Sequence, residues 1–438
     1  MKFYIETLGC PKNTVDSENM AALLEKGGHS EVDTPEEAEA IIVNTCAFIN
    51  DAKEESIETI LEMAGLKEDS DRLLIVSGCL SQRYSKELYQ EIPEADILLG
   101  VNEYHRINEI LTSAEGKRQR LDSPAPAQFC EINERKTLEG SVTNYLRIAE
   151  GCDNVCSYCV IPSIRGAYRS RKMEAVVEEA RTLAARGTRE LIIIAQDVTA
   201  YGKDLYGRLA LPELLKKLCA VEGIEWIRLM YCYEDSITPE LMQTIQEEEK
   251  ICRYIDIPLQ HISDRILSAM NRHSTSQSIR NTLAALRHKV PGIHIRTTFI
   301  TGFPGETDED FQELSDFTEE ISFDRLGVFA YSQEENTPAA EMPDQVDQDV
   351  KEERRDSIME LQREISLENN RKKIGSRFKV LVEEDCGDGT WLGRTEFDAP
   401  EIDNGVIFTA EEAPEVGSFV TVEITDAFDY DLTGVRVI

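Results

Sequence analysis

Three short apolar runs open the chain, FYIETLGC, AIIVNTC and LLIVSGC, and each stops at a cysteine: Cys10, Cys46 and Cys79. Helix-like segments, TVDSENMAALLEKGG and AKEESIETILEMAGL, separate them. Such alternation predicts a parallel sheet, because parallel neighbours need a long crossover between them. The cysteines are spaced 36 and 33 residues apart, about one strand–helix unit each. They therefore fall at equivalent strand ends, where the ligands of such sheets gather. Any one of them alone reads as a small buried apolar residue. Three at equivalent positions predict a shared site. Gly9 and Gly78 each precede one of them, and glycine lets a backbone turn tightly around a ligand.

The alternation continues through NYLRIAE, ELIIIAQ, EWIRLMY, YIDIP, HIRTTFI and DRLGVFAY. Six such units predict an α/β partial (β/α)6 barrel resembling a TIM barrel, with functional groups in the loops after the strands. A long charged helix, KEERRDSIMELQREISLENNRKK, leads out. The runs RFKVLVE, GVIFTA and SFVTVEITDAF then predict a small antiparallel β-barrel. Three domains follow: residues 1–137, including a linker from about 121; residues 138–373; and residues 374–438.

Lys and Arg total 47 against 83 Asp and Glu among 438 residues, a formal charge of -36. So acidic a chain is a poor generic binder of nucleic acid or anionic membrane and suits a basic partner. The third region is the extreme case, with 15 acidic residues against 4 basic ones. No stretch approaches eighteen apolar residues and no secretory leader is evident, so the expectation is a cytoplasmic protein. In that compartment 11 cysteines point to metal ligation or redox chemistry. Cys130, Cys219, Cys232, Cys252 and Cys386 lack a useful spacing and read as ordinary thiols.

The densest chemical signal is EGCDNVCSYCVIPSIRG, directly after the first strand of the second region. Cys152, Cys156 and Cys159 follow a C-x3-C-x2-C spacing, and three soft thiols on one loop can converge on an iron–sulfur cluster or zinc. For zinc a fourth ligand would come from elsewhere in the chain. A four-iron cluster held by three cysteines keeps one iron open to an external ligand.

This motif, with Tyr158 before Cys159, resembles the signature of radical S-adenosylmethionine enzymes. The resemblance implies that Cys152, Cys156 and Cys159 hold a [4Fe-4S] cluster and serve catalysis, with S-adenosylmethionine chelated at the open iron. The whole chain resembles the radical methylthiotransferases: an amino-terminal three-cysteine domain, a radical domain and a TRAM-like barrel. That likeness implies a second [4Fe-4S] cluster on Cys10, Cys46 and Cys79, and a cavity that both clusters face. LGCPKNTVDSE and IPSIRG resemble the branch that methylthiolates the β-carbon of an aspartate in small-subunit ribosomal protein twelve. The branch that modifies tRNA adenosine, the alternative reading, more often carries Gln-Met-Asn where this chain has Pro11, Lys12 and Asn13. The likeness implies as partners that ribosomal protein, free or in the ribosomal particle, and an electron donor such as flavodoxin or ferredoxin. It implies neither membrane nor tRNA.

Gln196, Asp197 and Arg228 lie on or after barrel strands and are candidates to bind S-adenosylmethionine; turn, packing or ion-pair roles read equally well. Arg165, Arg169, Arg171 and Lys172 read as a contact for RNA or a substrate carboxylate, or as a helix-start surface. His261 reads as a structural histidine, and TGFPGE, with Gly302, Gly305 and Glu306, as a turn.

Overall fold

The computed structural model describes residues 1–67, 71–113, 118–132, 134–138 and 140–437. The first sheet contains β1 (Lys2–Thr7), β2 (Ser30–Glu31), β3 (Ala40–Thr45), β4 (Leu73–Gly78), β5 (Ile97–Gly100) and β6 (Gln119–Leu121), in the order β2-β1-β3-β4-β5-β6. Every pairing in it is parallel. The central strands are apolar on both faces because helices cover both. Ile41, Val43, Leu74 and Val76 pack on one side, and Ile42, Ile75, Ile97 and Leu99 on the other.

The second sheet begins with β7 (Thr143–Arg147). A small antiparallel pair follows, β8 (Ala149–Glu150) with β9 (Arg169–Ser170). The sheet continues through β10 (Glu190–Ile194), β11 (Trp226–Leu229), β12 (Ile251–Gln260), β13 (His294–Thr301) and β14 (Arg325–Ala330). Its order is β14-β13-β12-β11-β10-β7, an open parallel barrel of six strands, as the alternation predicts. Leu191, Ile193, Ile227, Leu229 and Ile255 pack outward against the helices in one large core. Ile192, Ile194, Trp226 and Tyr254 alternate onto the inner face.

The charged helix Gln348–Arg371 returns along the barrel, burying Ile358 in its core, and Asn370 Nδ2 donates to the carbonyls of Phe428 and Tyr430. It leads into a closed barrel of β15 (Arg377–Gly387), β16 (Thr390–Thr395), β17 (Val406–Thr409), β18 (Phe419–Ala427) and β19 (Leu432–Val437). Its ladder is antiparallel apart from the parallel pair β17–β19. Among the described residues no helix is long and apolar enough to cross a membrane.

The small barrel plugs the amino-terminal ends of the large barrel's strands. Glu190, the first residue of β10, pairs with Arg228 at 2.9 Å and with Arg394 of β16 at 2.7 Å. Arg325, first in β14, pairs with Asp398 at 2.6 Å, and Trp226 meets the Phe419 ring edge-on at 4.7 Å. The first domain covers the opposite, carboxyl ends. Glu334, beyond β14, receives Lys53 at 2.9 Å and Arg83 at 2.7 Å from that domain. The segment read as a linker is fastened between the two: Arg135 pairs with Glu18 at 2.6 Å and Glu179 at 2.8 Å.

Candidate functional site

In the first sheet the strand order reverses between β1 and β3, because β2 lies on the far side of β1. Ligands of open parallel sheets bind in the crevice at the carboxyl ends flanking such a reversal. Cys10 follows β1 there and begins the helix Pro11–Lys26, with Pro11 at its first turn. Cys46 directly follows β3, and Cys79 opens the short helix Cys79–Arg83 after β4. Cys46 and Cys79 are buried and Cys10 is half-buried.

The glycines beside these thiols are required by space. Gly9 has φ +87, and a Cβ on it would stand 2.7 Å from Cys46 Cβ and 3.0 Å from Cys46 Sγ. Gly78 has φ +97, and a Cβ there would stand 2.4 Å from the Thr45 carbonyl oxygen. Asn13 ties the turns together, donating through Nδ2 to the carbonyls of Leu8 at 2.8 Å and Thr45 at 3.0 Å. Burial pushes the Cys46 thiol up and Cys79 up to about 12; Arg165, whose Nη2 stands 3.5 Å from Cys79 Sγ, pulls the latter back.

Cys152, Cys156 and Cys159 lie on the loop after β8. Cys156 Sγ is 3.2 Å from the Tyr233 hydroxyl, and the Ile161 N–H donates to Cys159 Sγ at 3.5 Å. Burial pushes Cys152 up to about 11 and Cys159 up to about 12. Asn154 in the same loop donates to Asp197 Oδ2 at 2.9 Å. No group of three or more His, Cys, Asp or Glu side chains stands close enough to hold a single metal ion among the described residues. Each triad is nevertheless a set of three thiols, a donor set that suits iron–sulfur chemistry.

A buried ion network joins the two triads. Arg165 Nη2 donates to Asn13 Oδ1 at 2.8 Å, and its Nη1 pairs with Asp16 and Glu150, both at 3.1 Å. Arg147 bonds Asp16, Glu150 and the Tyr104 hydroxyl. Gln196 Nε2 completes the cage on Glu150 at 2.7 Å. Burial pushes the Glu150 carboxyl up, but Arg165 and Arg147 overcome it and bring it down to about 2. Lys12 projects from the first domain over the Tyr231 ring beyond β11, 3.3 Å from its centroid.

Gln196 and Asp197 thus stand beside the cysteine loop, whereas Arg228 lies elsewhere. Its side chain turns inward at the barrel's amino-terminal end, bonded to Glu190 and to the carbonyls of Thr395 and Glu396. Strand position located Arg228 correctly, but not the third domain that packs against it. Arg165, Arg169 and Arg171 are not a surface patch: all three are buried in the first-to-second domain junction, and only Lys172 is exposed. His261 is fully buried and accepts from the Ser263 N–H through Nδ1, while Glu306 caps Gly302 and pairs with Arg354. Cys130 and Cys386 are exposed and Cys219, Cys232 and Cys252 buried. Sequence reasoning missed the site roles of Lys12, Asn13, Asp16, Glu150 and Tyr233. The run from Cys10 to Asp16 was itself the available signal, since polar residues one helical turn after a candidate ligand face the same way.

Family models match residues 2–100 as the uncharacterized protein family UPF0004, residues 146–318 as the radical SAM superfamily and residues 374–437 as the TRAM domain. Among solved structures, the radical S-adenosylmethionine methyltransferase TsrM of Kitasatospora setae aligns with a TM-score of 0.56 at 15% identity, covering 89% of this chain and 81% of that one. At that identity the likeness concerns the fold alone. Among curated proteins, the ribosomal protein uS12 methylthiotransferase RimO of Geotalea uraniireducens is 50% identical over 99% of this chain and 98% of its own length. Its counterparts in Clostridioides difficile and Geobacter sulfurreducens are 49% and 50% identical over the same shares. A likeness of that depth, spanning all three domains, makes this chain a member of the ribosomal protein uS12 methylthiotransferase family.

Proposed function

We propose that this chain is a radical S-adenosylmethionine enzyme that methylthiolates the β-carbon of an aspartate in ribosomal protein uS12, in the cytoplasm. The observation that carries the reading is Arg165, which touches Cys79 of one triad and Glu150 at the base of the loop bearing the other. Chemistry at the two triads is thereby held to a single junction, as transfer of a group from one to the other requires. Cys152, Cys156 and Cys159 would hold one [4Fe-4S] cluster, and Cys10, Cys46 and Cys79 a second. When bound, the clusters and S-adenosylmethionine supply radical cleavage of an unactivated C–H bond and the methylthio group that replaces the hydrogen.

The chain's own residues orient and enclose. Asp197, held by Asn154, Thr199 and the Ala200 N–H, fixes the cysteine loop against β10. Glu150 and Gln196 form a polar wall beside it, and the cosubstrate's polar groups would meet the Gln196 Oε1, which is buried without a partner among the described residues. Burial of Cys46, Cys79, Cys152 and Cys156 limits the access of water to reactive species. The strongly acidic third domain offers a basic ribosomal protein a complementary surface, and a flavodoxin or ferredoxin serves as electron donor.

Purified uS12 and bulk tRNA, each incubated with the anaerobically reconstituted chain, S-adenosylmethionine and a reductant, are then weighed by mass spectrometry. The reading expects methylthiolation of uS12 and none of tRNA. Modification of tRNA alone overturns it.

A further inference from the structure

Two lysines are buried among the described residues, Lys351 at 6% exposure and Lys12 at 8%. Lys351 Nζ donates to the Tyr331 carbonyl at 3.2 Å. Lys12 has no oxygen partner among the described residues; it rests on the Tyr231 ring, and Cys10 is the first opposite charge that bears on it. A buried ammonium is costly unless paired, and a ring face offsets only part of that cost. The nearest carboxylates are already engaged. Asp256 accepts from Arg296 Nη1 at 3.0 Å and the Tyr231 N–H at 2.9 Å, and Glu150 is enclosed by Arg147, Arg165 and Gln196.

The ring under Lys12 is held in place at a cost. Tyr231 takes φ 57, a left-handed conformation that a bulky residue rarely adopts, secured by that bond to Asp256. Lys12 therefore projects over the carboxyl end of β11, two residues from Cys10. On that mouth the inner faces of β13 and β14 stay partly open: Ile300 is half-buried and Phe329 is 56% exposed. That open side shares its mouth with an ammonium that has no oxygen acceptor among the described residues.

We propose that Lys12 receives the carboxylate of the target side chain and so selects an acidic protein residue as substrate. The assignment rests on the aspartate reading given above. An aspartate enters with its β-carbon one bond from the group that Lys12 would hold, which places the reacting C–H at the junction. A neutral nucleobase offers that ammonium ring acceptors but no negative charge, so it gains less from a buried site than a carboxylate does.

The test is a double-mutant cycle on binding. The reconstituted chain and its Lys12→Met variant are titrated, without reductant, against fluorescent uS12 carrying either the target Asp or Asn in its place. The unchanged chain is expected to prefer Asp about tenfold or more, and the variant to show no preference. Lys12→Gln should behave as Lys12→Met. An equal Asp-to-Asn ratio in variant and unchanged chain overturns the assignment, as does an unchanged chain that binds both forms equally. The latter result needs no variant and holds even if both fail to fold. If the unchanged chain binds neither form, the substrate reading falls first and takes this one with it.

Discussion

Cys152, Cys156 and Cys159 lie within eight consecutive residues, whereas Cys10, Cys46 and Cys79 come from three strand ends spread over 70. The local triad needs only its loop, tied to the barrel by Asn154–Asp197 and by Tyr233. The dispersed triad needs a whole sheet in register, two glycines with no room for a side chain, and an arginine from another domain. A site assembled by topology is thus coupled to global stability and to domain docking in a way that a loop site is not. Changes at residues other than the cysteines should harm the dispersed triad and spare the local one.

The largest such effect is expected at Arg165. Replacing it by Gln leaves Asp16 and Glu150 buried beside a single arginine, and breaking a buried pair costs about 3–5 kcal/mol. Urea unfolding of the R165Q chain should show that loss, and iron analysis should show depletion confined to the first site. Equal depletion at both sites would erase the distinction between them.

Acid tests the other brace of the barrel. Burial pushes the Glu190 carboxyl up, but Arg394 and Arg228 overcome it and set it at about 2. A depressed acid stabilises the fold above its ordinary value of about 4.5, and that contribution drains away as pH falls toward 2. The shift corresponds to up to about 3 kcal/mol. Asp398, set at about 2 against its own burial by Arg325 and Lys373, acts in the lower part of that window, below its ordinary value of 3.8. Trp226 fluorescence should therefore change between pH 4.5 and 2 as Phe419 moves away. A Glu190→Gln chain should lose the upper part of this transition and keep only what Asp398 contributes below about pH 3.8; an unchanged transition would assign the acid response to other groups.

Smaller still is Gly78→Ala. The new Cβ meets the Thr45 carbonyl and Asn44, and the left-handed φ adds strain, about 1–3 kcal/mol in all. Iron should fall at the first site while the second, read by its low-temperature paramagnetic signal, stays intact.

Contiguous apolar runs made most strands legible: all six barrel strands fall where those runs predict, and in the first sheet β1, β3 and β4 do, but the short β2, β5 and β6 lie outside the predicted strands. The sequence also aligned Cys10, Cys46 and Cys79 by their one-unit spacing. What stayed hidden depends on which domain covers which end of a strand. Arg228 sits where its strand suggests, yet its alternation says only that it points inward, and Glu190, Thr395 and Glu396 then engage it. Arg165 and Arg171 look like a solvated basic stretch until Asp16, Glu150, Glu131 and Glu179 arrive from other elements of the fold. Lys12 was visible as a clue to the branch but not as a buried charge, since burial at a domain junction leaves no local pattern.

The most direct test of two separate three-thiol sites is iron content after anaerobic reconstitution, compared among the unchanged chain, Cys10→Ala and Cys156→Ala. About eight irons per chain are expected in the first and about four in each variant, with opposite sites lost. A Cys10→Ala chain that keeps all its iron and its full thiolation of uS12 would contradict the account.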